Sequence, residues 1–92
     1  MHGGSGAADE VVDASLRAAI RLNAEFAPAD DALAMFYAAG HRRLDEAYAL
    51  DVRAIELEPE RLLYRVNCAE VLTEQRQYVD ALEMLAQLGR VL

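Results

Sequence analysis

The 92-residue chain has no tryptophan and no lysine, one cysteine, two prolines and five glycines, three of those glycines within the first six positions. A single cysteine, Cys68, excludes an internal disulfide and any multi-cysteine metal site. It sits in a helical pattern between Asn67 and Ala69, with neither histidine near it in sequence, so an inert buried thiol is expected. The scarcity of Pro and Gly, together with only nine Val and Ile, argues against a turn-rich β architecture. No apolar stretch approaches the roughly 20 residues that cross a bilayer. The first six residues carry neither a cationic start nor a hydrophobic segment, so a secretory leader is not expected and a cytoplasmic setting is. His2 and His41 are far apart, and the chain has no HExxH, no G-x-S-x-G and no phosphate loop. No enzyme activity, no metal and no cofactor are therefore expected.

Charge narrows the partners. Sixteen acids against nine arginines give a net charge of −7. A chain of that sign repels phosphate backbones, which disfavours nucleic acid and anionic membranes as ligands. Glu56, Glu58 and Glu60 read as a solvated face. The small basic run His41-Arg42-Arg43 reads as a source of local ion pairs with Asp45 or Glu46.

What remains is helix-forming. Of the 54% apolar residues, 18 are Ala and 13 are Leu. Residues 1–8 read as a flexible leader or tag. From Asp9 the positions Val12, Leu16, Ala19 and Ile20 follow three-and-four spacing, with acids in the first turn, which predicts an amphipathic helix. Pro28 suits the first turn of a second helix that carries Leu33, Phe36 and Tyr37 and stops near Gly40. A third helix is predicted over 44–57. Pro59 marks a break, and further helices are predicted over about 60–74 and 78–90.

The chain also resembles itself. Leu44-Asp45-Glu46-Ala47 and Tyr78-Val79-Asp80-Ala81 open two helices alike, 34 residues apart. Ala19-Ile20-Arg21-Leu22 echoes Ala54-Ile55-Glu56-Leu57 at an offset of 35, which Ala34 and Ala69 share. The extra residue falls in the Gly40–Arg43 loop, where insertions are tolerated.

This pattern resembles the tetratricopeptide repeat family, whose unit is a 34-residue pair of antiparallel helices. Leu33-Ala34 followed by Tyr37 is similar to that family's L-G-x-x-Y segment. Ala47, Ala54 and Pro59 take its later small and closing positions, and Ala69 and Ala81 hold small positions in the next unit. Asp30 and Asp51 depart from it, standing where large aromatics are usual, and Leu88 stands at a small site. The resemblance implies an all-α fold of five helices, stacked as antiparallel hairpins in a short right-handed α-solenoid. Residues 9–25 would be the second helix of a partial repeat, with whole repeats over 26–59 and 60–92. Small residues at 34, 47, 54, 69 and 81 would let backbones approach closely. Leu33, Tyr37, Leu50, Leu57, Leu72, Tyr78, Leu82 and Leu85 would fill the remaining space.

By the same resemblance, the first helix of each unit lines a concave surface that holds a peptide or partner helix. Carried over by position, that groove would present Asp31, Met35 and Ala38, then Val66, Asn67, Glu70, Thr73 and Glu74. Asn67 would clamp a peptide backbone, since one amide offers both a donor and an acceptor. Asp31 and Met35 replace basic residues of the family's carboxylate clamp, so an acidic tail is not the expected ligand. An acidic groove with apolar patches predicts basic or amphipathic segments instead. Two other readings stand beside this one. Leu85, Leu88, Val91 and Leu92 leave the last helix apolar where a terminal repeat is normally polar, which favours self-association as a homodimer. Alternatively, the chain is a regulatory fragment of a larger enzyme, or a piece of a longer bacterial repeat protein.

Overall fold

The computed structural model describes residues 3–91, and every regular element in them is helical: α1 (Gly3–Leu22), α2 (Ala27–Ala39), α3 (Leu44–Leu57), α4 (Leu62–Glu74) and α5 (Tyr78–Val91). The boundaries of α2 to α5 fall within two residues of those predicted. The first helix does not. It begins at Gly3, so residues 3–8, expected as a leader, continue α1 backward, while residues 1 and 2 lie outside the described residues. Gly6, Ala7 and Ala8 are exposed. Those turns therefore add hydrogen bonds to a helix already anchored further along, and extending a helix is far easier than nucleating one.

Backbone bonds at the joints recur along the chain. Asn23 N–H donates to the Ala19 carbonyl, Phe26 to Asn23 and Ala29 to Phe26. The same three bonds return 35 residues later, from Glu58 to Ala54, Arg61 to Glu58 and Tyr64 to Arg61. The ends of α2 and α4 also match. At each, a left-handed residue (His41, φ 53°; Arg76, φ 62°) is followed by an N–H that reaches back five residues, Arg42 to Tyr37 and Gln77 to Leu72. This is the Schellman closure, usually made with glycine because a Cβ disfavours the left-handed region.

Packing follows the chain. Among the described residues each helix touches the next, and α2 also touches α4, whereas α5 touches only α4. This contact path is open at both ends, since neither α1 nor α5 closes back on the rest. The radius of gyration is 13.7 Å over extents of 43 × 30 × 17 Å, above the ~12 Å of a compact domain this size. Alanines sit where helices meet: Ala34, Ala47 and Ala54 are wholly buried, and Ala69 and Ala81 are 3% and 5% exposed. The main core gathers Leu33, Ala34, Tyr37, Ala38, Ala47 and Val71, with Leu16, Ile20 and Leu50 against it. Tyr37 anchors α1 as well. Its hydroxyl donates to Asp13 (3.0 Å) and accepts from Arg17, and Arg17 also pairs with Glu46 on α3 at 2.8 Å.

One part of the expected core is not core. Leu33, Tyr37 and Leu72 are buried and Leu50 and Leu57 half-buried, but Tyr78, Leu82 and Leu85 are 56%, 67% and 39% exposed. With α4 as its one neighbour, α5 covers a single face, that of Ala81 and Met84 against Ala69 and Leu72. Its other side faces solvent.

Candidate interaction surface

The expected groove residues lie on α2 and α4, two helices in direct contact. Asp31, Met35, Asn67 and Glu74 are half-buried, and Val66, Glu70 and Thr73 are exposed. Ala38 departs from expectation, because it is buried in the main core and offers a partner nothing. Two further side chains are already engaged within the chain. Thr73 Oγ1 donates to the Ala69 carbonyl at 2.9 Å, and Glu74 takes His41 Nδ1 at 2.6 Å.

Asn67 is also engaged. Its Nδ2 donates to both carboxylate oxygens of Asp31, each at 3.0 Å. The two oxygens of one carboxylate lie too close together to take both N–H groups, so one N–H is shared between them, and the second N–H and Oδ1 remain. Asp31 and Ala38 are seven positions apart on one helix, whereas Asp31 and Asn67 are 36 apart in sequence. Only the packing of α4 on α2 joins them.

Beneath this pair lie two acids that sequence reasoning placed at aromatic positions without assigning them a role. Asp30 and Asp51 are 1% and 0% exposed, and no donor bonds any of their four carboxylate oxygens. The nearest cation to Asp30 is Arg53 Nε, 3.6 Å away. Arg53 also donates through Nη2 to the Ala24 carbonyl at 2.7 Å, so it serves the α1–α2 turn as well. Burial raises the Asp30 carboxyl pKa, partly offset by Arg53. Asp51 has no such relief. Burial foremost, then Asp31, Asp30 and Glu70, push it up to about 9. At neutral pH it is protonated. The signal that could have found both acids is spacing. Asp51 stands between Ala47 and Ala54 at steps of four and three, and Asp30 stands three and seven before Leu33 and Tyr37, all on inward faces.

Cys68 lies on the same side of α4, fully buried. Burial and the neighbouring Asp51 push its thiol up to about 12, so it is an inert core thiol. Elsewhere, a depression of about 470 Å³ lies between the α2–α3 and α4–α5 joints, lined by His41 to Asp45 with Gln75 and Gln77. The basic run there is internally paired in part: Arg43 meets Glu46 at 3.4 Å, while Asp45 takes Gln75 at 2.8 Å. A smaller one, about 330 Å³, lies between Arg17, Ile20, Arg21, Leu33 and Leu50. Both lie off the α2–α4 face.

Of the expected self-association residues, Leu85 is exposed and Leu88 half-buried, whereas Leu92 and the side chain of Val91 lie outside the described residues. Leu85 continues a solvent-facing apolar stripe through Tyr78, Val79 and Leu82. Among the described residues no helix is long and apolar enough to cross a membrane, and no group of three His, Cys, Asp or Glu side chains is placed to hold a metal ion. Comparison with known family profiles, curated protein sequences and solved structures gave no match.

Proposed function

We propose that this chain is a tetratricopeptide-like, non-catalytic interaction scaffold that receives a basic or amphipathic protein segment across its α2–α4 face. The observation that carries this reading is the acidic surface where those helices meet, Asp31 on α2 and Glu70 on α4, with the buried acids Asp30 and Asp51 beside it. The repeat reading behind it is supported by the joint hydrogen bonds that recur at 35 residues and by the five buried alanines. Met35 and Val66 supply apolar area around the acids. Titrating the fluorescently labelled chain with Arg/Lys-rich and Asp/Glu-rich peptides tests the proposal. Tighter binding of the basic set, weakening as salt is raised, is the expected result. Tighter binding of the acidic set would overturn it.

A second reading is favoured by the stripe of Tyr78, Val79, Leu82 and Leu85 on α5. In this reading α5 is a self-association face, and two chains cover the stripe for each other. Light scattering over a concentration series separates the two readings. A dimer abolished by Leu82→Glu supports self-association, and a monomer at every concentration removes it.

A further inference from the structure

We infer that the slot between α1 and α3 is a binding site for a small carboxylic acid with an apolar body, whose hydrocarbon part lies on Ile20, Leu33 and Leu50 and whose carboxylate meets Arg21. The slot lies off the α2–α4 face, so this inference goes beyond the scaffold reading and is tested separately from it.

Two rungs make the slot. Among the described residues α1 and α3 both pack on α2 and not on each other. They are joined side to side by Arg17, whose Nη2 meets Glu46 at 2.8 Å, and by Arg53, whose Nη2 donates to the Ala24 carbonyl at 2.7 Å. Arg17 and Ala24 are seven positions apart, and so are Glu46 and Arg53. Seven residues of helix rise about 10 Å, which sets the length of the gap between the rungs. The space there, about 330 Å³, is lined by Ile20 and Arg21 of α1, Leu33 of α2 and Leu50 of α3, with Arg17 at one end. Its size is at the lower limit of small-molecule sites, which set a few polar groups in an apolar lining.

The charges on the walls select the ligand. Arg17 is filled by Asp13 at 2.7 Å, by Glu46 and by the Tyr37 hydroxyl, so it clasps the fold and offers a ligand little. Arg21 is different. It is exposed in the last turn of α1, where a cation offsets the negative end of the helix, and that role leaves its N–H groups open. No acid among the described residues comes within ion-pair distance of it. A neutral apolar ligand would strip water from that guanidinium without replacing it. An ammonium would be repelled. A carboxylate matches the paired N–H groups of a planar guanidinium. A second negative charge has no place, because Asp13 and Glu46 already hold the Arg17 end. The ligand is therefore a monocarboxylate, with its chain running from Arg21 towards Arg17 over three aliphatic side chains.

Octanoate, octanol and octylamine share a chain and differ in charge, and NMR titration of the full chain with each at neutral pH tests the inference. The expected result is octanoate bound about threefold tighter than octanol, the gain of one exposed ion pair, and octylamine weaker than either. Methyl resonances of Ile20, Leu33 and Leu50 should shift with octanoate and stay in place with acetate, which lacks the apolar body. Arg21→Gln, at an exposed site, should bring octanoate to within about twofold of octanol. Ile20→Phe and Leu50→Phe fill the slot from opposite walls, and whichever keeps the parent's circular dichroism spectrum should weaken octanoate about fivefold or more. Equal binding of octanoate and octanol, octanoate affinity unchanged by Arg21→Gln, shifts centred on Tyr78, Leu82 and Leu85 of α5, or no shift at millimolar octanoate would each overturn the inference. Acetate moving the same methyls as far as octanoate does would overturn it too. The outcome of the basic-peptide titration on the α2–α4 face alters none of these results.

Discussion

A carboxyl group in a protein interior with no donor in reach is most easily kept neutral, and Asp51 meets that condition while Asp13 does not. Asp13 receives the Tyr37 hydroxyl and Arg17, and despite some desolvation its carboxyl is held below the ordinary 3.8. Asp51 is raised from 3.8 to about 9. Between those two values the folded chain holds a proton that the unfolded chain has lost. Stability should therefore decline as pH rises from about 4 to about 9 and level off beyond, with a slope no steeper than about 1.4 kcal/mol per pH unit. The Asp13 contribution has the opposite sign, being present above its unfolded value and lost as acid protonates it. Asp51→Asn should remove most of the alkaline decline and raise stability at pH 8 by on the order of a few kcal/mol. Thermal unfolding followed by circular dichroism from pH 5 to 9 measures both. A variant whose slope matches the parent would refute the assignment. This behaviour was only half legible in the sequence. The two acids stood out as misfits at aromatic positions, but polar residues read as exposed, and only packing shows a helical stripe carrying them inward.

Helices were easier to read than the surfaces they present. Pro28, Gly40 and Pro59 punctuate the chain where turns occur, and Ala/Leu periodicity does the rest, so α2 to α5 begin and end close to expectation. The left-handed residues at the ends of α2 and α4 carried no such signal. His41 and Arg76 occupy a conformation in which glycine is the usual marker. Exposure within α5 was misjudged for another reason. Periodicity says that a helix has an apolar side, not that a neighbour covers it. The contrast gives a prediction. Ala47, wholly buried between helices, should not tolerate Leu, and Ala47→Leu should cost about 1–3 kcal/mol through overpacking. Leu82→Gln, at a site 67% exposed, should change stability by less than about 0.5 kcal/mol. Urea unfolding of both variants, at a concentration where the parent is monomeric, decides the matter. Similar losses would mean that α5 is packed on both sides.

At the scale of the molecule, the helices form a path of neighbours rather than a ring. α5 leans on α4 alone, while α2 is held by α1, α3 and α4. Local opening should follow that order. Amide hydrogens of α5 should exchange measurably faster than those of Leu33–Tyr37 in α2, and hydrogen exchange read by mass spectrometry would reveal it. Uniform protection across the two helices would mean that the chain unfolds as one unit. The all-helical class was visible from composition, since many Ala and Leu with few β-branched and turn-forming residues favour helices. How far each end is covered depends on contacts that no spacing encodes.

A path of this kind also bears on how the chain is made. Most of the contacts that close the α2–α3 hairpin lie within Ala27–Leu57, and none of them waits for α5. As the polypeptide leaves the ribosome, α2 and α3 can pair before α4 and α5 have been translated, and Val71 of α4 completes their core afterwards, so assembly can proceed in the order of synthesis.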